Sequence, residues 1–149
     1  MDRIQFSAAD KAFSFPKKKL LKQWIESCFR KEGKKIATIH YIFCSDDFLL
    51  DINKKFLNHD YYTDIITFDL SEPSEATITA EIYISLDRVK ENAQQLHTPY
   101  KKELLRVLIH GALHLCGYKD KLKKEVAEMR AAEEQQILNY YQLEKALKK

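Results

Sequence analysis

The segment 104–115 constrains the fold more than any other part of the chain. Its apolar residues lie on nearly every side of a helix: Leu104, Leu105, Val107, Leu108, Ile109, Ala112, Leu113 and Leu115. A surface helix has one apolar stripe, whereas a helix that is apolar all round is buried. Pro99 and Gly117 flank the segment and are typical of a helix start and a helix stop. We therefore predict a buried helix over 99–116, around which the rest of the chain packs.

The elements around this helix predict a single α+β domain over residues 1–149. Strands are predicted at 3–8, 36–44, 64–70 and 78–85, and further helices at 17–31, 48–57, 86–96 and 122–147. The strand 36–44 carries apolar residues on both faces, so we expect it to be central and covered on both sides. The hairpin-like link between the last two strands predicts an antiparallel pair, and with it a mixed four-stranded sheet.

The composition and the cysteine content favour a small protein of the cytoplasm. A chain of 149 residues is about one domain. Its three cysteines are far apart and form no CxxC pair, which fits a reducing compartment. The first residues lack the apolar region of a signal peptide, and no apolar run approaches the length of a membrane span. The net charge of +3 gives mild support to an anionic partner.

The buried helix carries two histidines, His110 and His114, at the spacing of metal ligands. Residues four apart lie on one face of a helix, so both rings can reach one ion. The same spacing begins the helix of zinc peptidases, but Gly111 stands where those enzymes carry their glutamate base. The alternative is a pair of core histidines, each hydrogen-bonded to a carbonyl group. The pattern favours a zincin-like metal helix that lacks the peptidase base.

A third ligand is expected just after the helix, at Asp120. Gly117 ends the helix and lets the chain fold back, so that the carboxylate can reach the same ion. Two histidines, one aspartate and a water molecule make an acceptable open zinc site. The carboxylate oxygen also suits Mn²⁺ or another divalent ion. The alternative role for Asp120 is the N-cap of the last helix.

The sequence ELLRVLIHGALHLCGYKD, residues 103–120, closely resembles the signature of the YbeY family of bacterial endoribonucleases and rRNA maturation factors. The resemblance extends upstream to Leu57 and Asn58, to TDIITF at 63–68 and to AEIYIS at 80–85. It also includes Met129 and Glu133 in the last helix. In all, it covers roughly residues 36–138, and the histidine motif is specific.

The resemblance implies one domain with a mixed four-stranded sheet and about five helices. It implies one bound divalent ion, zinc, and hydrolysis of single-stranded RNA in 16S rRNA 3′ maturation and ribosome quality control. The implied partners are rRNA and the ribosome or its small subunit, with no role for DNA or a membrane. The implied ligands fall on His110, His114 and Asp120, where Asp120 replaces the third histidine of the family pattern.

Three more charged residues are candidates for a part in catalysis. Arg106 lies one turn before His110 on the same helix face, where it could contact a phosphate. Its alternative role is an ion pair with Glu103 or another carboxylate. Asp64 and Glu81 are candidates for a general base or for holding a ligand in place, and the alternative for both is a structural role at the start of a strand.

Two functions stay open at this point, a metal-dependent endoribonuclease and a non-catalytic ribosome-assembly factor with a structural metal. The loop 58–63 keeps the second open because it has no arginine, whereas the family has a basic residue there. A peptidase is disfavoured by Gly111. Three tyrosines are candidates either for stacking on RNA bases or for partial burial in the core: Tyr61, Tyr62 and Tyr118.

Overall fold

A computed structural model of the chain describes residues 2–148, which form four strands and five helices. In chain order these are β1 (Ile4–Ala8), α1 (Lys18–Lys31), β2 (Lys35–Cys44), α2 (Asp46–Leu57), β3 (Ile65–Asp69), β4 (Thr77–Ser85), α3 (Leu86–Gln95), α4 (Tyr100–Leu115) and α5 (Lys123–Leu147). The α+β class and the order of elements are confirmed. The bounds differ from the predicted ones by a residue or two, as helix and strand ends commonly do.

The four strands form one mixed sheet in the order β1-β2-β4-β3. The strands β1, β2 and β4 run parallel to one another, and β3 runs antiparallel to β4. The predicted antiparallel pair is therefore confirmed. Because β4 lies between β2 and β3, β3 becomes an edge strand, with one side of its backbone unpaired within the sheet.

The strand β2 is central, but only one of its faces is fully covered. Ile39, Tyr41 and Phe43 are completely buried on the side of α1 and α4. On the other face His40 and Ile42 are half-buried, because α2 covers only the carboxyl end of the strand through Leu49. The prediction that both faces are covered is therefore wrong for this second face as far as Ile42.

The helix α4 lies at the centre of the molecule, as predicted from its apolar residues. It contacts β3 and β4 of the sheet as well as α1, α3 and α5. A buried hydrogen bond from Tyr41 Oη to the carbonyl oxygen of Leu108, 2.9 Å long, ties the helix to β2. None of the helices within residues 2–148 has the length and apolar character that crossing a membrane requires.

Gly111 explains how closely α4 approaches the sheet. A Cβ atom at this position would lie 2.9 Å from Cδ1 of Ile65 and 3.2 Å from two side-chain carbons of Ile82. Such distances are too short for a side chain without movement of α4 or of the two isoleucines. Gly111 stands where a zinc peptidase has its glutamate base. Because it has no side chain, α4 can lie close enough to the sheet to bring both histidines beside the sheet edge.

We expect Gly111→Glu to lower the free energy of unfolding by about 4 kcal/mol or more. Overpacking against the two isoleucines should cost about 1–3 kcal/mol. The unpaired buried carboxylate should add a penalty of about 3 kcal/mol or more. The measurement is urea unfolding followed by circular dichroism. Gly111→Ala is the matched control: it keeps the steric conflict without the charge and gains up to about 1 kcal/mol of helix propensity. If Gly111→Glu and Gly111→Ala had the same free energy of unfolding, the buried carboxylate would carry no penalty and the prediction would be contradicted.

Candidate metal centre

Three side-chain atoms meet in one small triangle beside the edge of the sheet. The two Nε2 atoms of His110 and His114 are 3.1 Å apart. Oδ2 of Asp120 lies 3.3 Å from the first and 3.1 Å from the second. Tetrahedral zinc ligands at the usual bond lengths are separated by about 3.3–3.4 Å. Within residues 2–148, His110, His114 and Asp120 form the group of three side chains that could hold a metal ion. The distances between their ligand atoms fit a single ion.

Asp120 reaches this position because the chain reverses after α4. Gly117 has a φ of +107°, a backbone conformation that favours glycine. The N–H groups of Gly117 and Tyr118 donate to the carbonyl oxygens of His114 and Leu113, which is the Schellman pattern of helix ends. The helix α5 begins only at Lys123 with Leu122 as its N-cap. Asp120 therefore does not cap the last helix, and its carboxylate faces the two histidines.

Each histidine ring is held by a second contact through its Nδ1 atom. Nδ1 of His110 lies 2.6 Å from Oε2 of Glu133, and Nδ1 of His114 lies 3.0 Å from the carbonyl oxygen of Tyr118. Both partners are acceptors, so Nδ1 carries a proton, and with an ion in place Nε2 would present its lone pair to that ion. Histidine ligands of metals are commonly fixed in this way. The contact of His114 with a carbonyl group is also the one expected of a core histidine, so the role of the two histidines as ligands stays a prediction.

Glu133 is a part of this site to which the sequence analysis assigned no role. Its side chain is almost fully buried, and besides His110 it contacts Arg106 and Arg130 at 3.1 Å and 3.6 Å. A signal was present in the sequence, because Glu133 lies on the same face of α5 as the buried Met129 and Ile137. A carboxylate in an apolar stripe needs a charged or hydrogen-bonding partner.

The ionisation of His110 depends on these carboxylates. Burial lowers the pKa of its imidazole, but the hydrogen bond and the charge of Glu133, together with the charges of Asp120 and Asp64, outweigh burial and raise the pKa above its ordinary value. The site is therefore a region of negative potential that attracts a cation, whether a proton or a metal ion.

Arg106 is held by carboxylates and does not line the groove beside the triangle. Its guanidinium is paired with Glu133 at 3.1 Å, with Glu134, and more distantly with Glu103 at 3.7 Å. Only 13% of the side chain is exposed. The ion-pair alternative is thus the observed arrangement. Arg106 lines a second, smaller pocket together with His110 and Asp64, so its role as a phosphate contact stays a prediction.

The two predicted acidic candidates lie in different places. Asp64 lines the same groove as His110, and burial raises the pKa of its carboxyl group while the nearby His110 lowers it. Glu81 accepts a hydrogen bond from Tyr83 at 3.2 Å. Because its neighbour Ile82 faces Gly111, strand alternation places Glu81 on the opposite face of the sheet. Glu81 therefore lies on the face of the sheet that points away from His110 and His114, and we propose no role in catalysis for it.

A groove of about 690 Å³ opens beside the triangle. One wall is the edge strand β3, and the other is the loop that follows α2. Apart from its three histidines, the acidic and basic side chains that line it within residues 2–148 are Asp64, Asp69, Asp120 and Lys121. Carboxylates thus outnumber lysines in the groove, which has an excess of negative charge until a divalent cation is added.

Comparisons with known proteins identify the family of the chain. The family model described as Endoribonuclease YbeY matches residues 3–142. A protein of Porphyromonas gingivalis named Endoribonuclease YbeY is 46% identical over 138 residues, which cover 93% of this chain and 90% of that protein. A protein of Cytophaga hutchinsonii with the same name is 49% identical over 133 residues, covering 89% of this chain and 92% of that protein.

A solved structure shows the same fold. The solution structure of TM1509 from Thermotoga maritima superposes with a TM-score of 0.66 at 30% identity and covers 96% of this chain and 92% of that one. The match of the family model extends over nearly the whole chain, and the relatives are similar over most of their own length. The chain therefore belongs to the endoribonuclease YbeY family.

Proposed function

We propose that this protein is a metal-dependent endoribonuclease that cuts single-stranded rRNA, with His110, His114 and Asp120 as the ligands of one zinc ion. The observation that supports the proposal is the triangle of three ligand atoms, which opens onto a groove in a chain of this family. The finer proposal is 3′ maturation of 16S rRNA, with a part in ribosome quality control and contact with the small ribosomal subunit in the cytoplasm.

The three ligand atoms fit a divalent ion, which would act as a Lewis acid at this position. Two imidazole nitrogens and one carboxylate oxygen form a common zinc ligand set and leave a fourth position open. A divalent ion held there would supply Lewis-acid polarisation of a phosphate oxygen and acidification of a water molecule. Its charge also offsets the three carboxylates of the groove, which would otherwise repel a phosphodiester.

The protein side chains supply orientation and a candidate for proton transfer. Glu133 and the carbonyl group of Tyr118 hold the two histidine rings in place. Asp64 is the candidate general base, because it lines the groove beside His110 and its raised pKa lies closer to neutrality than that of an ordinary aspartate. Arg106 acts in this proposal only through Glu133.

The shape of the site favours catalysis over a purely structural metal. Structural zinc sites usually have four protein ligands and are closed to solvent, whereas catalytic sites have three and keep one position free. Here three ligand atoms face a groove that is large enough for a nucleotide chain. The non-catalytic assembly factor is therefore the second candidate function. A test for RNA cleavage distinguishes it from the endoribonuclease.

We expect the purified protein to contain about one divalent ion per chain and to cut a single-stranded RNA with the sequence of the 16S rRNA 3′ end. Chelation should abolish cleavage and zinc should restore it, because the triangle is the centre of the reaction. The measurements are metal analysis by mass spectrometry and gel analysis of labelled RNA, with the matching RNA duplex as the control. One bound ion with tight RNA binding and no cleavage would instead support the assembly factor.

A further inference from the structure

Two aromatic rings form part of the groove wall opposite α4. The rings of His59 and Tyr61, in the loop between α2 and β3, are stacked with centroids 5.1 Å apart and an angle of 22° between their planes. The hydroxyl group of Tyr61 lies 2.9 Å from Nδ1 of His59. Both residues line the groove that contains His110, His114 and Asp120.

The loop that carries this ring pair is anchored by one buried residue of α2. Asn53 of α2 is only 2% exposed. Its side-chain Nδ2 donates to the carbonyl oxygen of Tyr61 at 2.9 Å, and its backbone carbonyl oxygen accepts from the N–H of His59 at 3.1 Å. Asn58, at the start of the loop, has the left-handed φ of 58° that ends the helix. The loop is thus fixed at both aromatic residues.

Although its backbone is fixed, the ring of Tyr61 is largely open to the groove. Tyr61 is 55% exposed, so its ring remains accessible although its backbone is anchored. The other two tyrosines that sequence analysis singled out are placed differently. Tyr62 lies below the guanidinium of Arg88 and donates to Asp47, and Tyr118 packs against the core.

We propose that Tyr61, supported by His59, is a stacking platform for one unpaired base of the RNA substrate. This inference rests on the proposed endoribonuclease function and adds a residue that selects the substrate. Single-stranded RNA is commonly recognised by aromatic side chains on which unstacked bases lie. A base inside a duplex has both faces covered by its neighbours, so the platform favours single strands.

The charge of the groove gives a stacking contact a larger share in binding the RNA. Most affinity for RNA normally comes from lysine and arginine contacts to phosphates. Within residues 2–148 this groove has one lysine, Lys121, against three aspartates. Stacking does not depend on charge, so a base on Tyr61 can hold the chain in the groove without further cations while the phosphate beside it lies at the metal triangle.

The test uses metal-loaded full-length protein and a single-stranded RNA that it cuts at a known bond. We expect Tyr61→Leu to weaken RNA binding about 5- to 150-fold, the loss of one stacked base, with a smaller change in kcat. Tyr61→Phe keeps the ring and should bind within about threefold of wild type. Tyr100→Leu is the matched control, because Tyr100 is also exposed, at 43%, but does not line the groove.

A series of RNAs, each with one abasic nucleotide near the cut, locates the stacked base in the wild-type protein. We expect one position to weaken binding as much as Tyr61→Leu does, and the substitution to have no further effect on that RNA. If no abasic position matters, or if Tyr61→Leu binds as wild type does, the platform is refuted while the nuclease function stands. If the wild-type protein neither binds nor cuts RNA, the proposed function fails and the platform with it.

Discussion

His110→Ala is expected to abolish metal binding and RNA cleavage together, and it is the substitution with the largest effect that we predict. The variant removes one of three ligand atoms whose mutual distances are 3.1–3.3 Å. Loss of a residue that only supports a ligand costs about 10- to 100-fold in metal affinity, so loss of the ligand itself should cost more than about 100-fold. At metal concentrations near the dissociation constant of the wild type, occupancy of the site and with it the cleavage rate should fall by nearly the same factor.

Metal binding can be measured independently of cleavage through thermal stability. An ion that binds only the folded state at one hundred times its dissociation constant stabilises the wild type by about 2.7 kcal/mol. For a chain of this size that corresponds to a rise in Tm of about 5–11 °C. We expect zinc to raise the Tm of the wild type in this way and to leave the Tm of His110→Ala nearly unchanged.

The matched control for this prediction is His40→Ala. His40 lies on the opposite face of the sheet from α4, where its Nε2 contacts Ser7 Oγ at 2.7 Å. Its removal should leave the metal content, the zinc-dependent rise in Tm and the cleavage rate as in the wild type. Undiminished cleavage by a folded His110→Ala protein would show that the activity comes from another nuclease, and it would refute the site.

The features that could be predicted from the sequence are those that depend on local geometry. The buried position of α4 follows from apolar residues around the whole helix, and two histidines four residues apart share a helix face in any fold. The turn that brings Asp120 back could also be anticipated, because Gly117 is the residue that a Schellman ending requires. The placement of these three side chains needed no knowledge of distant contacts.

The features that could not be predicted depend on how distant elements pack. The pattern of β4 shows that Glu81 and Ile82 face opposite sides of the sheet, but not which side α4 covers. Glu133 follows His110 by 23 residues, so their contact depends on the packing of α5 against α4. The same packing turned Arg106 away from the groove, because it brings two carboxylates of α5 within reach of the guanidinium.

Glu133→Gln is expected to lower the affinity for the metal ion about 10- to 100-fold while the protein stays folded. The carboxylate of Glu133 accepts a hydrogen bond from Nδ1–H of His110 at 2.6 Å. This contact holds the proton on Nδ1 and keeps Nε2 free for the ion. Glutamine has nearly the same shape but no charge, and its amide can also donate to Nδ1, which favours the tautomer with the proton on Nε2. The dissociation constant is measured by competition with a coloured chelator.

The neighbouring residue supplies the control that separates two explanations. Glu134 also pairs with Arg106, but it is 50% exposed and has no contact with His110 within residues 2–148. If Glu133 acts by holding the ring, Glu134→Gln should bind the ion within about twofold of the wild type, and ¹⁵N NMR should show a changed tautomer of His110 only in Glu133→Gln. If both variants lose affinity equally, the effect comes from freeing Arg106. In that case the histidine ring is positioned by the packing of α4 alone.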